Sequence, residues 1–191
     1  MTGQKELYLL LHKLGISFEY HEHPPLATIE EAKIYWKDYD AGKCKNIFFR
    51  NHKGDRHYLV ILEHLRLLQI HDLEKRLKQG KLSFASDHRL KKYLGLEPGS
   101  VSPFGLINDT EKNVHLFIDE KLKDCERLTF HPNDNRASLV ISKSDFFRFL
   151  DFTGNSYEFI RLYDFGVLVH DCLQRIAKSQ GILDPETWAE D

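Results

Sequence analysis

Leu7, Leu10, Leu11 and Leu14 recur at the i, i+3, i+4, i+7 positions that line one face of a helix, and Gly15 follows where a left-handed cap is wanted. Ile16, Phe18 and Tyr20 then alternate with Ser17 and Glu19, the period of a half-buried strand. The polar run His21-Glu22-His23-Pro24-Pro25 reads as a turn. Thr28 with Glu31 forms a capping box that starts a second helix, fading near Asp40 to Gly42. Asn46 to Arg50 and His57 to Leu62 are β-rich runs around the turn-forming stretch Asn51 to Asp55, which predicts an antiparallel hairpin. Helical patterns return over Asp72 to Gln79 and Asp87 to Leu94, closed by Gly80 and Gly95. Strands are predicted at Leu82 to Phe84, Val114 to Ile118, Arg127 to Phe130 and Ala137 to Ile141, and Ser142 or Ser144 caps a helix through Leu150. A last helical stripe runs through Phe165, Leu168, Val169, Cys172, Leu173 and Ile176.

Strands and helices are interleaved, while the hairpin excludes a purely parallel sheet, so the expected fold class is α/β (α+β) with a mixed sheet. The 191 residues suit one domain, and Gly154-Asn155-Ser156 is too short a break to be a linker. The expected division is a domain over 1–161 and a C-terminal helical extension over 162–191 packed on it. No apolar run approaches the ~18 residues of a membrane span, and the N-terminus lacks a basic-then-apolar signal pattern. Cys44, Cys125 and Cys172 are odd in number and widely spaced, fitting neither a disulfide framework nor a zinc site. The expected location is cytoplasmic.

Charge changes the picture only when divided along the chain. Lys plus Arg number 27 against 29 Asp plus Glu, a net charge of -2, which excludes a nucleic-acid-coating protein. Residues 43–92 nevertheless hold 13 basic and 5 acidic side chains, net +8, leaving -10 for the remainder. A local basic face of this kind suits a few phosphate contacts.

Three patches use residue types that packing does not demand. Lys43-Cys44-Lys45-Asn46 precedes a strand, where a lysine can anchor phosphate or act as a base; a solvated lysine fits as well. Pro98-Gly99-Ser100-Val101-Ser102-Pro103-Phe104-Gly105 specifies a rigid loop whose amides can face a carbonyl or oxyanion, though a structural turn accounts for the same residues. It lacks the spacing of a nucleotide-binding loop. His131-Pro132-Asn133-Asp134-Asn135 can present a polar edge to a ligand or be turn chemistry alone. His21-Glu22-His23 resembles a metal pair without further ligands, and Cys44 beside Lys45 invites a thiolate for which no histidine partner is evident.

Taken in order, these patches resemble the YbaK/ProX family of aminoacyl-tRNA deacylases, in its ProX branch of prolyl-tRNA-editing proteins. The resemblance spans about Leu7 to Arg161. It rests on Gly15 to Pro25 with Thr28 to Ala32, Lys45 to Phe49, Tyr93 to Leu106, and His131-Pro132-Asn133 leading into Ser144-Asp145 and Phe149-Leu150. It implies a mixed, strongly curved central sheet and hydrolysis of the ester of misacylated proline tRNA, typically alanyl. The resemblance places Lys45, Gly99, Ser100 and Pro103 at the chemical centre, with Asn46, Val101, Ser102 and His131 around the substrate. Lys45 would hold the terminal nucleotide, the Gly99 to Pro103 segment would engage the aminoacyl carbonyl and water, Asn46 would support the lysine and ligand, and His131 would shape the pocket. No cofactor or metal is implied.

An aminoacyl ester is already activated, so a fixed water, a polarising loop and the substrate's own 2'-hydroxyl suffice, and no side-chain nucleophile is needed. Selectivity would come from a compact apolar pocket near Lys45 that admits alanine and excludes proline. The implied partner is the tRNA acceptor end, with prolyl-tRNA synthetase as a further candidate, and the chain would be a monomer or homodimer. Two other readings stand beside this one: a non-catalytic module that binds the acceptor end or a synthetase, and a deacylase for cysteine or serine.

Overall fold

In the computed structural model, residues 1–26, 34–37, 39–64 and 70–162 are described. The hairpin is the centre of the sheet: β2 (Gly42–Asn51) runs antiparallel to β3 (His57–Glu63), with Asn46 opposite Ile61 and Arg50 opposite His57. β3, His-Tyr-Leu-Val-Ile-Leu-Glu, is buried at every position but its last, as a strand covered on both faces must be. A short strand β4 (Leu82–Phe84) also pairs with β2. Outward from β3 come β5 (Val114–Asp119) and β8 (Tyr157–Ile160), both parallel to it. On the other side β6 (Arg127–Phe130) joins β2 in parallel, followed by the antiparallel β7 (Ala137–Ser142) and β1 (Phe18–Glu22). The expected mixed sheet is therefore present, with eight strands among the described residues.

α1 (Lys5–Lys13), α3 (Asp87–Leu94) and α4 (Lys143–Thr153) cover one face, burying Leu7, Leu11, Leu90, Leu94, Phe146, Phe149 and Leu150 in the larger core. α2 (Ile70–Leu77) packs Leu73 and Leu77 on the opposite face against Phe49, Tyr58, Val60 and Leu62. Ser142 caps α4 through the Asp145 amide, resolving the choice between Ser142 and Ser144.

Two elements depart from the pattern reading. β1 continues through His21 and Glu22, which pair with Ser138 and Ala137, so the first part of the expected turn is strand. An edge strand exposes polar side chains without losing its ladder, and composition there is a weak guide. β8 was not expected, because its four residues show no clean alternation and follow the Gly154 turn directly. The helix start at Thr28 and the stripe over 165–176 lie outside the described residues, as does nearly all of the 162–191 extension.

Two buried polar groups hold the sheet to its surroundings. Asp109 is 3% exposed and accepts from the amides of Asn113 and Val114 and from Asn155 Nδ2 at 2.7 Å, joining the start of β5 to the turn before β8. His57, 2% exposed, accepts at Nε2 from Arg89 (2.7 Å), which also donates to the Gly54 carbonyl. The Tyr93 ring lies 3.9 Å from the His57 ring, so the hairpin turn is clamped to α3. Burial first, then the positive charges of Arg89 and Lys92, push the His57 pKa down to about 4.

An Asp109→Ala variant should lose about 3 kcal/mol in urea unfolding, because the buried Val114 amide is left without a partner and the ties to Asn113 and Asn155 are cut. The His57 linkage has a definite sign. The unfolded chain protonates this histidine near the usual ~6.5 while the folded chain refuses the proton until about pH 4, so stability falls as pH drops across that window and is unaffected above it. The urea midpoint of the parent should fall more steeply between these pH values than that of His57→Phe.

Candidate active site

Alternation along β1, β7, β6 and β2 gives the sheet two chemically different faces. Leu128, Phe130, Leu139, Ile141 and Cys44 point into the larger core, with Phe18 and Tyr20 packed against it. The register puts Glu19, His21, Ser138, Val140, Thr129 and Lys43 on the opposite face, and Lys45 follows Lys43 by two residues on the same side. Ser138 and Thr129 are buried there, where packing alone would favour aliphatic side chains. What covers them is aromatic and hydrogen-bonded: Trp36 Nε1 donates to Ser138 Oγ at 3.3 Å, Tyr39 stacks on His21 at 4.1 Å, and Lys43 Nζ donates to the Tyr39 carbonyl at 2.7 Å.

β2 and β6 are parallel but pair over only two residues, Gly42 with Leu128 and Lys43 with Thr129. Where the pairing stops, loop 99–103 is bonded to both sides. Asn46 Nδ2 donates to the Val101 carbonyl at 3.2 Å, and Ser102 Oγ donates to the His131 carbonyl at 2.6 Å. Crevices beyond the ends of parallel strands are where α/β sheets bind ligands. These two bonds bring together Asn46, Val101, Ser102 and His131, with Lys45 adjacent to Asn46 and Pro103 adjacent to Ser102.

The loop is stiff for reasons visible in its residues. Ser102, fully buried, also accepts from the Phe104 amide and so caps the 3₁₀ helix Pro103–Asn108, in which proline occupies the first position. Gly99 has φ +83°, where any other residue is strained, and Ser100 N donates to the Glu97 carbonyl. A Cβ on Gly105 would sit 2.9 Å from the Leu94 carbonyl, so only glycine lets this helix seat on α3. Among the described residues, the Val101 and Ser102 amides take part in none of the loop's hydrogen bonds.

His131 donates from Nδ1 to the Ala137 carbonyl at 2.9 Å, which fixes its tautomer and leaves a lone pair on Nε2. Burial lowers its pKa, and the ring is neutral near pH 7. The Val101 carbonyl dictates which end of the Asn46 amide is the donor, and the remaining Oδ1 is buried with no partner among the described residues. Such an orphaned acceptor costs roughly 1–3 kcal/mol, relieved when a donor arrives.

Cys44 is buried in the larger core, and desolvation raises its pKa, so it is a packed thiol and no nucleophile. His21 and His23 point to different neighbours, Tyr39 and Ser138, and among the described residues no group of three or more His, Cys, Asp or Glu is placed to hold a metal ion. Lys53, Arg56, Lys78, Lys81, Lys91 and Lys92 of the basic segment are exposed. An open polar cavity of about 310 Å³, lined by residues such as Arg56, Lys112, His115 and Glu158, includes none of the expected site residues. His23, Trp36, Thr129 and Ser138 were not expected at the site; Ser138 and Thr129 inside otherwise apolar strands were the available signal.

The sequence model of the aminoacyl-tRNA editing domain matches residues 23–149, which contain every expected site residue. Over 163 residues the chain is 37% identical to the prolyl-tRNA editing protein ProX of Acetoanaerobium sticklandii, covering 85% of this chain and 99% of that one. It is 31% identical over 154 residues to prolyl-tRNA synthetase associated domain-containing protein 1 of Mus musculus, covering 78% and 90%. A crystal structure described as a candidate trans-editing enzyme for prolyl tRNA synthetase shares the fold, with a TM-score of 0.61 and 18% identity over 84% of this chain and 99% of that one. The resemblance read from the motifs is thus borne out, and the chain belongs to the aminoacyl-tRNA editing domain family, with the YbaK/ProX deacylases.

Proposed function

We propose that this chain hydrolyses, in trans, the ester of alanine wrongly attached to proline tRNA. As a member of its family it is a hydrolase of aminoacyl-tRNA esters and takes tRNA as substrate; the amino acid and the residue roles are the proposal. One observation carries it. A stiff loop is hydrogen-bonded between the strand that bears Lys45 and the residue His131, so three separate motifs converge on one place.

In this reading Lys45 holds the terminal nucleotide through phosphate or ribose oxygens. The ester carbonyl faces the Gly99 to Pro103 loop, where the amide of the half-buried Val101 receives the negative charge that develops on its oxygen. Gly99 and Pro103 set the loop's shape, and the Ser100 turn supports it. Water adds to the carbonyl carbon, the bond to the ribose oxygen breaks, and the departing ribose oxygen receives a proton, with the neighbouring hydroxyl of the ribose assisting. Asn46 Oδ1 and His131 Nε2 are acceptors suited to the substrate's ammonium or hydroxyl. Tyr35 beside His23 and Trp36 over Ser138 are the apolar groups nearest to His131 for the compact pocket expected to admit alanine and exclude proline. The exposed cations of the basic segment steer the acceptor end, and the work belongs in the cytoplasm beside prolyl-tRNA synthetase. No helix among the described residues is long and apolar enough to cross a membrane.

Purified protein should release alanine from alanyl-tRNA of the proline type and leave prolyl-tRNA intact. Lys45→Ala should lower kcat/KM by about a hundredfold, as loss of substrate positioning does. Binding without turnover would instead support a non-catalytic module, and faster release of cysteine or serine across a panel of misacylated tRNAs would reassign the amino acid. Ser102→Ala should cost about 1–2 kcal/mol of stability through the lost cap and the freed His131 carbonyl, and should lower kcat/KM about tenfold.

A further inference from the structure

Behind His131 lies a hydrogen-bond chain that the proposed reaction does not use. His23, 5% exposed, brings Nδ1 within 2.9 Å of the Pro24 carbonyl and Nε2 within 3.0 Å of Ser138 Oγ. A carbonyl only accepts, so Nδ1 carries a proton, and in the neutral ring Nε2 accepts from the Ser138 hydroxyl. The hydroxyl oxygen in turn accepts from Trp36 Nε1. Each hydrogen is then used once in a fixed sense: Trp36 to Ser138, Ser138 to His23, His23 to Pro24. The His23 amide also donates to the Arg136 carbonyl, so ring and backbone are both held against the start of β7.

The His23 ring then meets His131 edge-on, with centroids 6.0 Å apart and planes at 64°. His131 is tied to Ala137 and His23 to Ser138, two consecutive residues of β7, so one strand end registers both rings. Tyr35 flanks His23 on another side at 5.7 Å. The His131 ring is held by one hydrogen bond, and its edge contact with His23 is a second constraint on its tilt.

We propose that His23 is a positioning residue: held at Nδ1 by the Pro24 carbonyl and at Nε2 by Ser138, itself bonded to Trp36, it fixes the plane in which His131 presents Nε2 to the substrate. This rests on the reading of His131 as a substrate contact given above. The chain also ties that plane to the segment bearing Tyr35 and Trp36, so side-chain fit and ring orientation are set by the same atoms. A chain of directed hydrogen bonds with no unmatched member specifies one arrangement, which a loose polar contact does not.

The test uses the full chain labelled with ¹⁵N, with the ring nitrogens of His23 and His131 assigned by long-range proton–nitrogen correlation, alongside steady-state deacylation. In the parent both rings should show a protonated Nδ1 and an acceptor Nε2. Ser138→Ala leaves the Pro24 carbonyl holding the Nδ1 proton but frees the other end of the ring, so it should shift the His23 Nε2 and His131 Nε2 resonances and lower kcat about tenfold with KM changed less than twofold. Trp36→Phe keeps a ring but removes the donor, and should produce the same changes at smaller size; it serves alone if Ser138→Ala does not fold. Unchanged His131 nitrogen resonances in both variants would overturn the proposal, as would a lowered kcat with those resonances unmoved. If the parent hydrolyses no aminoacyl-tRNA, the functional reading fails, and the resonances still decide whether His23 positions His131.

Discussion

The site depends on a mismatch inside the sheet. Two parallel strands begin to pair and stop after two residues, and a loop that cannot pair as a strand takes over, bonded to one side through Asn46 and to the other through Ser102. Parallel strands left apart would strand backbone polar groups in the interior. Filling the gap with a short loop satisfies part of that demand by side-chain hydrogen bonds. The same feature that would weaken a continuous sheet brings the three motifs together.

Stability and chemistry are divided between the two faces of the sheet. On one, aromatic and aliphatic side chains from α1, α3, α4 and the 3₁₀ helix close a continuous core, with Phe104 packed edge-on to Phe130 and Phe149. On the other, around β1, β7 and β6, the strands carry Ser138, Thr129 and His21, and their cover is held by directed hydrogen bonds and ring stacking. The apolar face holds the strands in register, so the polar face can be given over to orientation. That division also explains Cys44: one residue from Lys45, it points the other way, into the core.

Much of this was legible in the chain. The leucine spacing of α1, the hairpin, the helix 87–94 closed by Gly95, and the order of the three motifs all have local causes, and local causes can be read from sequence. The convergence of the motifs was legible only through family resemblance, since nothing in Lys45-Asn46 or Ser102 names its partner 55 or 29 residues away. His23 was read within a possible metal pair, because a histidine's partner decides its role and Ser138 is 115 residues distant. β8 was missed because it exists as the next parallel strand beside β5, a tertiary reason with no periodicity behind it.

In the proposed function the aminoacyl end of the tRNA sits where loop 99–103 meets β2 and the end of β6. The most direct test is a titration of the labelled full chain with a non-hydrolysable amide analogue of 3'-alanyl-adenosine, followed by backbone and side-chain NMR. The shifts should concentrate at Lys45, the Asn46 side-chain amide, the amides of residues 99–102 and the His131 ring. Shifts centred on the cavity beside Arg56, Lys112 and His115, with the 99–102 amides unmoved, would contradict it.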